Sequence, residues 1–180
     1  MIPIEIPLSK SKLTLMLVGC IAFVALGLWM FSYQPTSGDP PWMIRPLIVT
    51  ASIAATVFFG FCGFLAIKKL NSPLPGLIIN NEGITNYSSG LSAGPIPWKD
   101  ILEVKTTSAL SQSFILIMVS NPQEHIDRQP SAIKRKAMTV NYKTYGTPVC
   151  ISANGLKSNF NDLYRLLTEN LRQKKSAGLV

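Results

Sequence analysis

Residues 13–32 read LTLMLVGCIAFVALGLWMFS, twenty residues without a charge. At ~1.5 Å of rise per residue, a helix of that length covers the ~30 Å hydrocarbon core of a bilayer. Residues 46–67, PLIVTASIAATVFFGFCGFLAI, form a second uncharged run. Uncharged runs beyond ~18 residues seldom occur twice in a soluble domain, so the pair predicts a transmembrane helical hairpin over 13–67. The first run exceeds the ~7–15 residues of a signal-peptide core, and no small-x-small cleavage site follows it. It is therefore expected to be retained.

Positive charge orients the hairpin. Lys10 and Lys12 precede the first run, Lys68 and Lys69 follow the second, and the linker between them holds only Arg45. This asymmetry places both termini in the cytoplasm and the linker outside. Residues 33–45, YQPTSGDPPWMIR, read as a turn because of Pro35, Gly38, Pro40 and Pro41. Trp29, Tyr33 and Trp42 suit the headgroup level at that end. Small residues recur along both runs, Ser52, Thr56, Gly60 and Gly63 in one and Gly19, Ala22 and Gly27 in the other. They allow close helix approach, within the hairpin in the simpler reading or between copies in the other.

Around the hairpin, residues 1–12 form a cytoplasmic tail in which Pro3 and Pro7 oppose a helix. Ile2, Ile4 and Ile6 alternate with Pro3, Glu5 and Pro7, which suits an extended segment able to pair with a sheet edge. After Lys69, residues 71–76 make a short joint, and 76–175 read as one small cytoplasmic domain. Residues 77–79 and 84–87 flank the turn cluster Asn80-Asn81-Glu82-Gly83, a predicted hairpin. Pro95 to Trp98 leads into further strands expected over 101–107 and over 114–120. The last of these, FILIMVS, is apolar enough for a central strand. Asn121-Pro122-Gln123-Glu124 looks like a helix start that Pro130 cuts short. Residues 138–142 and 148–152 read as two more strands around Tyr145-Gly146. Residues 159–172 are amphipathic, with Phe160, Leu163, Leu167 and Leu171 at helical spacing and Asn159 placed to cap.

Net charge is +8 over 180 residues. Only Lys10, Lys12 and Arg45 of the 17 cations precede Lys68, so fourteen lie from Lys68 onward against seven acids. A basic domain beside a bilayer points to anionic headgroups, and no nucleic-acid signature accompanies it. Cys20, Cys62 and Cys150 are not spaced as a disulfide framework. The chemistry of catalysis is missing from the pattern. There is one histidine, His125, expected as an exposed residue on a short helix, and no second His or spaced Cys to complete a metal site. No phosphate loop, nucleophile elbow or carboxylate pair is present, and neither membrane run carries a charge. Asn86-Tyr87-Ser88 matches a glycosylation pattern that a cytoplasmic domain would not use. No catalytic residue, cofactor or metal is therefore expected, and Trp98 and Ile101 read as core residues.

The pieces IPLSKSK, PGLIINNEGI, IPWKDI, YGTPVCIS and LKSNFNDLYRLL resemble a family of small bacterial membrane proteins. That family joins two N-terminal helices to a pleckstrin-homology-like domain, a bent antiparallel barrel or sandwich capped by a C-terminal helix. The resemblance covers nearly the whole chain and implies an α+β architecture in the bacterial inner membrane, with no assigned activity or site. Two functions stay open: a membrane-anchored module that binds a protein or scaffolds an assembly, and a domain that orients on anionic lipid. The lipid reading centres on Lys134, Arg135 and Lys136, in an expected loop with no acid between Asp127 and Asp162. A solvated basic loop fits the same residues. Each cation close to an anionic leaflet contributes roughly 1 kcal/mol, fading within a Debye length. The oligomeric state is not encoded in the pattern.

Overall fold

The computed structural model describes residues 3–32, 41–89, 91–109 and 112–178. It divides into two units. One is helical and spans residues 10–73. The other joins residues 1–9 to 74–180.

The helical unit is two long helices, α1 (Lys10–Ser32) and α2 (Pro41–Leu70). Both are long and apolar enough to cross a membrane. Their apolar residues face every direction instead of one: Leu15, Leu47 and Val57 are all more than half exposed. A helix hydrophobic all round, with little of it covered by protein, is suited to lipid. Residues 41–45, expected as part of a turn, are instead the first residues of α2. Pro41 takes the first helical position, where its missing N–H costs nothing. Tyr33 and the side chain of Trp42 lie outside the described residues.

The small residues bring α1 and α2 together. A Cβ on Gly27 would meet Thr56 Oγ1 at 2.6 Å and the Ser52 carbonyl at 3.3 Å. Ser52 is buried, its hydroxyl donating to the Ile48 carbonyl at 2.7 Å. The Phe23 and Phe59 rings stack at 4.3 Å. By contrast, a Cβ on Gly19 or Gly60 meets nothing within 4 Å. The Gly27, Ser52 and Thr56 part of the stripe thus serves packing within the hairpin. A Cβ on Gly63 would stand 3.5 Å from the Cys20 Cβ, within disulfide reach. Gly63→Cys is expected to form a disulfide with Cys20 under mild oxidation, read as loss of free thiol. Adding Gly27→Leu forces overpacking worth roughly 1–3 kcal/mol and should cut the yield several-fold. Adding Gly60→Leu should not. Equal yields for both would count against the interface.

The second unit begins with the tail. Strand β1 (Ile4–Ile6) pairs antiparallel with β2 (Leu77–Ile79), Glu5 opposite Ile78. Strands β3 (Gly83–Asn86) and β4 (Pro95–Pro97) complete a sheet in the order β1-β2-β3-β4. The β2–β3 turn is closed by Asn80, whose Oδ1 accepts from the amides of Glu82 and Gly83, both at 3.0 Å. After a 3-10 turn at Trp98–Asp100, strands β5 (Ile101–Ala109), β6 (Gln112–Val119) and β7 (Val149–Ser152) form a second antiparallel sheet. The tail is fastened beyond β1 as well. Leu8 bridges Leu156, and the Ser9 and Lys157 amides bond the Gly155 and Pro7 carbonyls. Gly76 leaves the space that the Leu8 and Leu156 side chains fill.

The sheets do not close into a barrel. The chain leaves β4 through the Trp98–Asp100 turn and starts a separate ladder, so each sheet keeps its own edges. The two share one core all the same. Ile79, Ile84 and Ile96 from the first sheet join Ile101, Ile115, Ile117 and Ile151 from the second. Helix α5 (Phe160–Ser176) seals it with Leu163, Leu167 and Leu171, spaced one turn apart on its apolar side. As expected, Asn159 caps α5, its Oδ1 accepting from the Asn161 amide at 2.7 Å and the Asp162 amide at 3.4 Å.

Between β6 and β7 the expectation fails. Residues 138–142 are not a strand, and Lys134, Arg135 and Lys136 are not in a loop. Both belong to helix α4 (Ala132–Tyr145), which follows the short helix α3 (Pro122–Asp127). No Gly or Pro interrupts 132–145, and Gly146 ends the helix at φ 76°, the left-handed conformation that glycine adopts freely.

Candidate functional site

Helices α3 and α4 gather most of the polar side chains that the sequence singles out. His125 is the first correction there. It is 0% exposed, not a surface residue. Helix α3 is too short to hold an independent orientation, and both His125 and Ile126 turn into the core. Neither ring nitrogen has a hydrogen-bond partner among the described residues. The nearest acid is Asp100 from the 3-10 turn, its Oδ2 3.7 Å from Nε2, too far for a hydrogen bond.

Desolvation holds the His125 pKa below its ordinary 6.5. The Arg128 charge adds to the lowering, while Asp100 and Glu124 oppose it. The sign of the consequence follows. Above about pH 6.5 the ring is neutral folded and unfolded, and contributes nothing. As pH falls through 6.5 the unfolded chain takes the proton first, and stability drops until the pH passes the folded pKa. The full chain in detergent should therefore lose denaturation midpoint between pH 7.5 and 5.5. His125→Gln, which cannot titrate, should lose less. An equal loss in both would assign the effect to other groups.

The basic residues have divided roles. Arg128 pairs with Glu124 at 3.3 Å. Gln129, buried, donates to the Ala93 carbonyl at 3.1 Å and the His125 carbonyl at 3.0 Å, tying α3 to the segment before β4. Arg135 reaches back along the chain, its Nη1 donating to the Gln129 carbonyl at 2.6 Å and the Pro130 carbonyl at 3.3 Å. Its guanidinium thus holds the α3–α4 corner. Lys134 is half-buried and Lys136 is exposed. The structure does not present the three as one patch, and it adds a residue the sequence reading passed over. Lys143, about two turns further along the same side of α4, is also exposed.

Two concavities of the second unit hold polar side chains. A cleft of about 210 Å³ lies among Ser89, Phe114, Asn141, Tyr145, Cys150 and Ser152. Burial pushes the Cys150 thiol up to about 11, so it is neutral near pH 7 and a poor nucleophile or metal ligand. A groove of about 350 Å³ runs between β1 and α5, with Glu5, Lys157, Asp162, Arg165 and Glu169 on its walls. Arg165 lies between Asp162 at 3.9 Å and Glu169 at 4.0 Å, exposed pairs that contribute little. Among the described residues, no three of His, Cys, Asp and Glu gather where a metal ion could be held.

No family model, curated protein or solved structure matches the chain.

Proposed function

We propose that this is a two-pass membrane protein whose hairpin holds a small α+β interaction module against the cytoplasmic face of the membrane. One observation carries the reading: β1, ahead of the first apolar helix, pairs with β2, after the second. Two segments of one sheet must lie on the same side of a bilayer, and an even number of spans returns the chain to that side. The flanking Lys10, Lys12, Lys68 and Lys69 favour the cytoplasm. Antiparallel sheets on one core, ended by an amphipathic helix, support a pleckstrin-homology-like plan, from which α3 and α4 depart as an insertion between β6 and β7. The role of such a module is to bind a protein partner or scaffold an assembly beside the membrane.

The reading is tested on sealed vesicles of known orientation with an impermeant thiol reagent. With Cys20, Cys62 and Cys150 replaced by alanine, single cysteines at Glu5→Cys and Ser176→Cys should both react only from the cytoplasmic side, and the chain should stay with the membrane in alkaline carbonate. Reaction from opposite sides, or release by carbonate, would contradict it. Crosslinking in native membranes then separates the two roles: a reproducible protein adduct supports the module, and adducts to lipid alone do not.

A further inference from the structure

Helix α4 has a side that faces outward. At ~100° per residue, Ile133, Lys136, Ala137, Val140, Lys143 and Thr144 share that side, opposite the buried Met138. Ile133 is 83% exposed and Val140 56%. These are apolar side chains on the surface of a unit whose longest helix, α5, turns Leu163, Leu167 and Leu171 inward. Beside them on the same face stand two exposed lysines, Lys136 and Lys143. The whole helix carries Lys134, Arg135, Lys136 and Lys143 and no acid. Apolar residues flanked by cations on one face of a surface helix are the pattern of a helix lying in a membrane interface.

The connectivity favours a bilayer over other acidic partners. The β1 segment leads directly into α1 at Lys10, and only residues 71–73 separate α2 from the second unit. Three residues extend at most ~11 Å, so the point where the second unit joins α2 stays within about a Debye length of the helix end. There the tether raises the effective concentration of a contact too weak to hold alone.

We propose that this face of α4 rests in the headgroup layer of an anionic leaflet, with Ile133 and Val140 entering it and Lys136 and Lys143 reaching lipid phosphates. The proposal rests on the reading of the chain as a membrane-anchored module. It reassigns the basic cluster. Arg135 is occupied at the α3–α4 corner and Lys134 lies on the helix flank, so neither carries the contact. Long lysine side chains suit the role, because their stems lie along apolar surface while the ammonium stays at the phosphates.

The test uses the full chain in vesicles of phosphatidylcholine with or without phosphatidylglycerol. A photoreactive p-benzoylphenylalanine replaces Ile133 or, as control, the exposed Arg165 on α5. With phosphatidylglycerol present, lipid adducts at 133 should exceed those at 165 by about fivefold or more, and should fall severalfold in phosphatidylcholine alone or at high salt. Lys136→Glu with Lys143→Glu should abolish the excess, and Lys134→Glu should leave most of it. Equal adducts at 133 and 165, or adducts indifferent to phosphatidylglycerol, would overturn the proposal. A chain–chain adduct at 133 would also overturn it, giving the face to a second copy. The wild-type comparison between lipids decides the matter even where the double variant fails to fold. Carbonate extraction of the same vesicles distinguishes the two failures. A chain that stays anchored without lipid adducts overturns this inference alone, and a chain that is released overturns the anchoring as well.

Discussion

Trp98→Ala should destabilise the second unit by about 3–5 kcal/mol, a large share of the ~5–15 kcal/mol of a typical domain. The indole is 2% exposed at the turn where the chain passes from one sheet to the other. Its Nε1 donates to the Asn80 carbonyl at 2.8 Å, and its amide donates to the Glu82 carbonyl at 3.0 Å. Alanine keeps the amide bond, empties the ring's volume and leaves the Asn80 carbonyl without its indole donor. Trp98→Phe retains most of the burial and gives up the side-chain hydrogen bond, for about 1 kcal/mol plus a smaller void. Chemical denaturation of the full chain in detergent should rank wild type, Trp98→Phe and Trp98→Ala in that order. An alanine variant that unfolds at the wild-type midpoint would mean that the two sheets do not share this core.

The second large effect concerns the tail. Removing residues 2–7 strips β1 from β2 and takes away Ile6, which is 8% exposed, and the partly buried Ile4. Burial of a large aliphatic side chain contributes roughly 1.5–3 kcal/mol. The deletion also uncovers Leu77 and Ile79, both 0% exposed in the intact unit. A loss of about 3 kcal/mol or more is expected, seen as a lower denaturation midpoint and faster proteolysis within 77–176. Glu5→Ala, at an exposed position of the same strand, should change little. A deletion variant as stable as wild type would show that the tail is an adjunct and not a strand of the sheet. It follows that a fragment beginning at residue 76, the boundary that the sequence suggests, lacks one strand of its own sheet.

Much of this architecture is visible in the residues. The uncharged runs at 13–32 and 46–67 fall within the two long helices, whose apolar residues lie on every side. The Ile4-Glu5-Ile6 alternation anticipates a strand, and Leu163, Leu167 and Leu171 mark α5 by period alone. Helix α4 is misread because Thr139, Val140 and Tyr142 favour strands locally, while its tertiary anchor is chiefly one residue, Met138. A short amphipathic helix with an exposed apolar face resembles a strand in any five-residue window. The period appears only over the longer span from Ile133 to Thr144. The burial of His125 has no local signal. It depends on how α3 packs, and α3 is only six residues long. Barrel closure likewise depends on whether two ladders meet, which strand count cannot decide. The basic cluster was legible as charge but not as geometry, since only the helix separates the outward Lys136 and Lys143 from Lys134 and Arg135.

The central claim is that chain on either side of the hairpin builds one sheet. It is tested most directly by a cysteine pair across β1 and β2. Glu5 and Ile78 are opposite partners, and antiparallel partners have Cα atoms ~4.5–5.5 Å apart, within disulfide range. The full chain carrying Glu5→Cys and Ile78→Cys should form an intramolecular disulfide in native membranes under mild oxidation, whereas Glu5→Cys paired with Lys143→Cys should not. Failure of the 5–78 pair to close, with the two thiols reacting with an impermeant reagent from opposite sides of the membrane, would contradict the account.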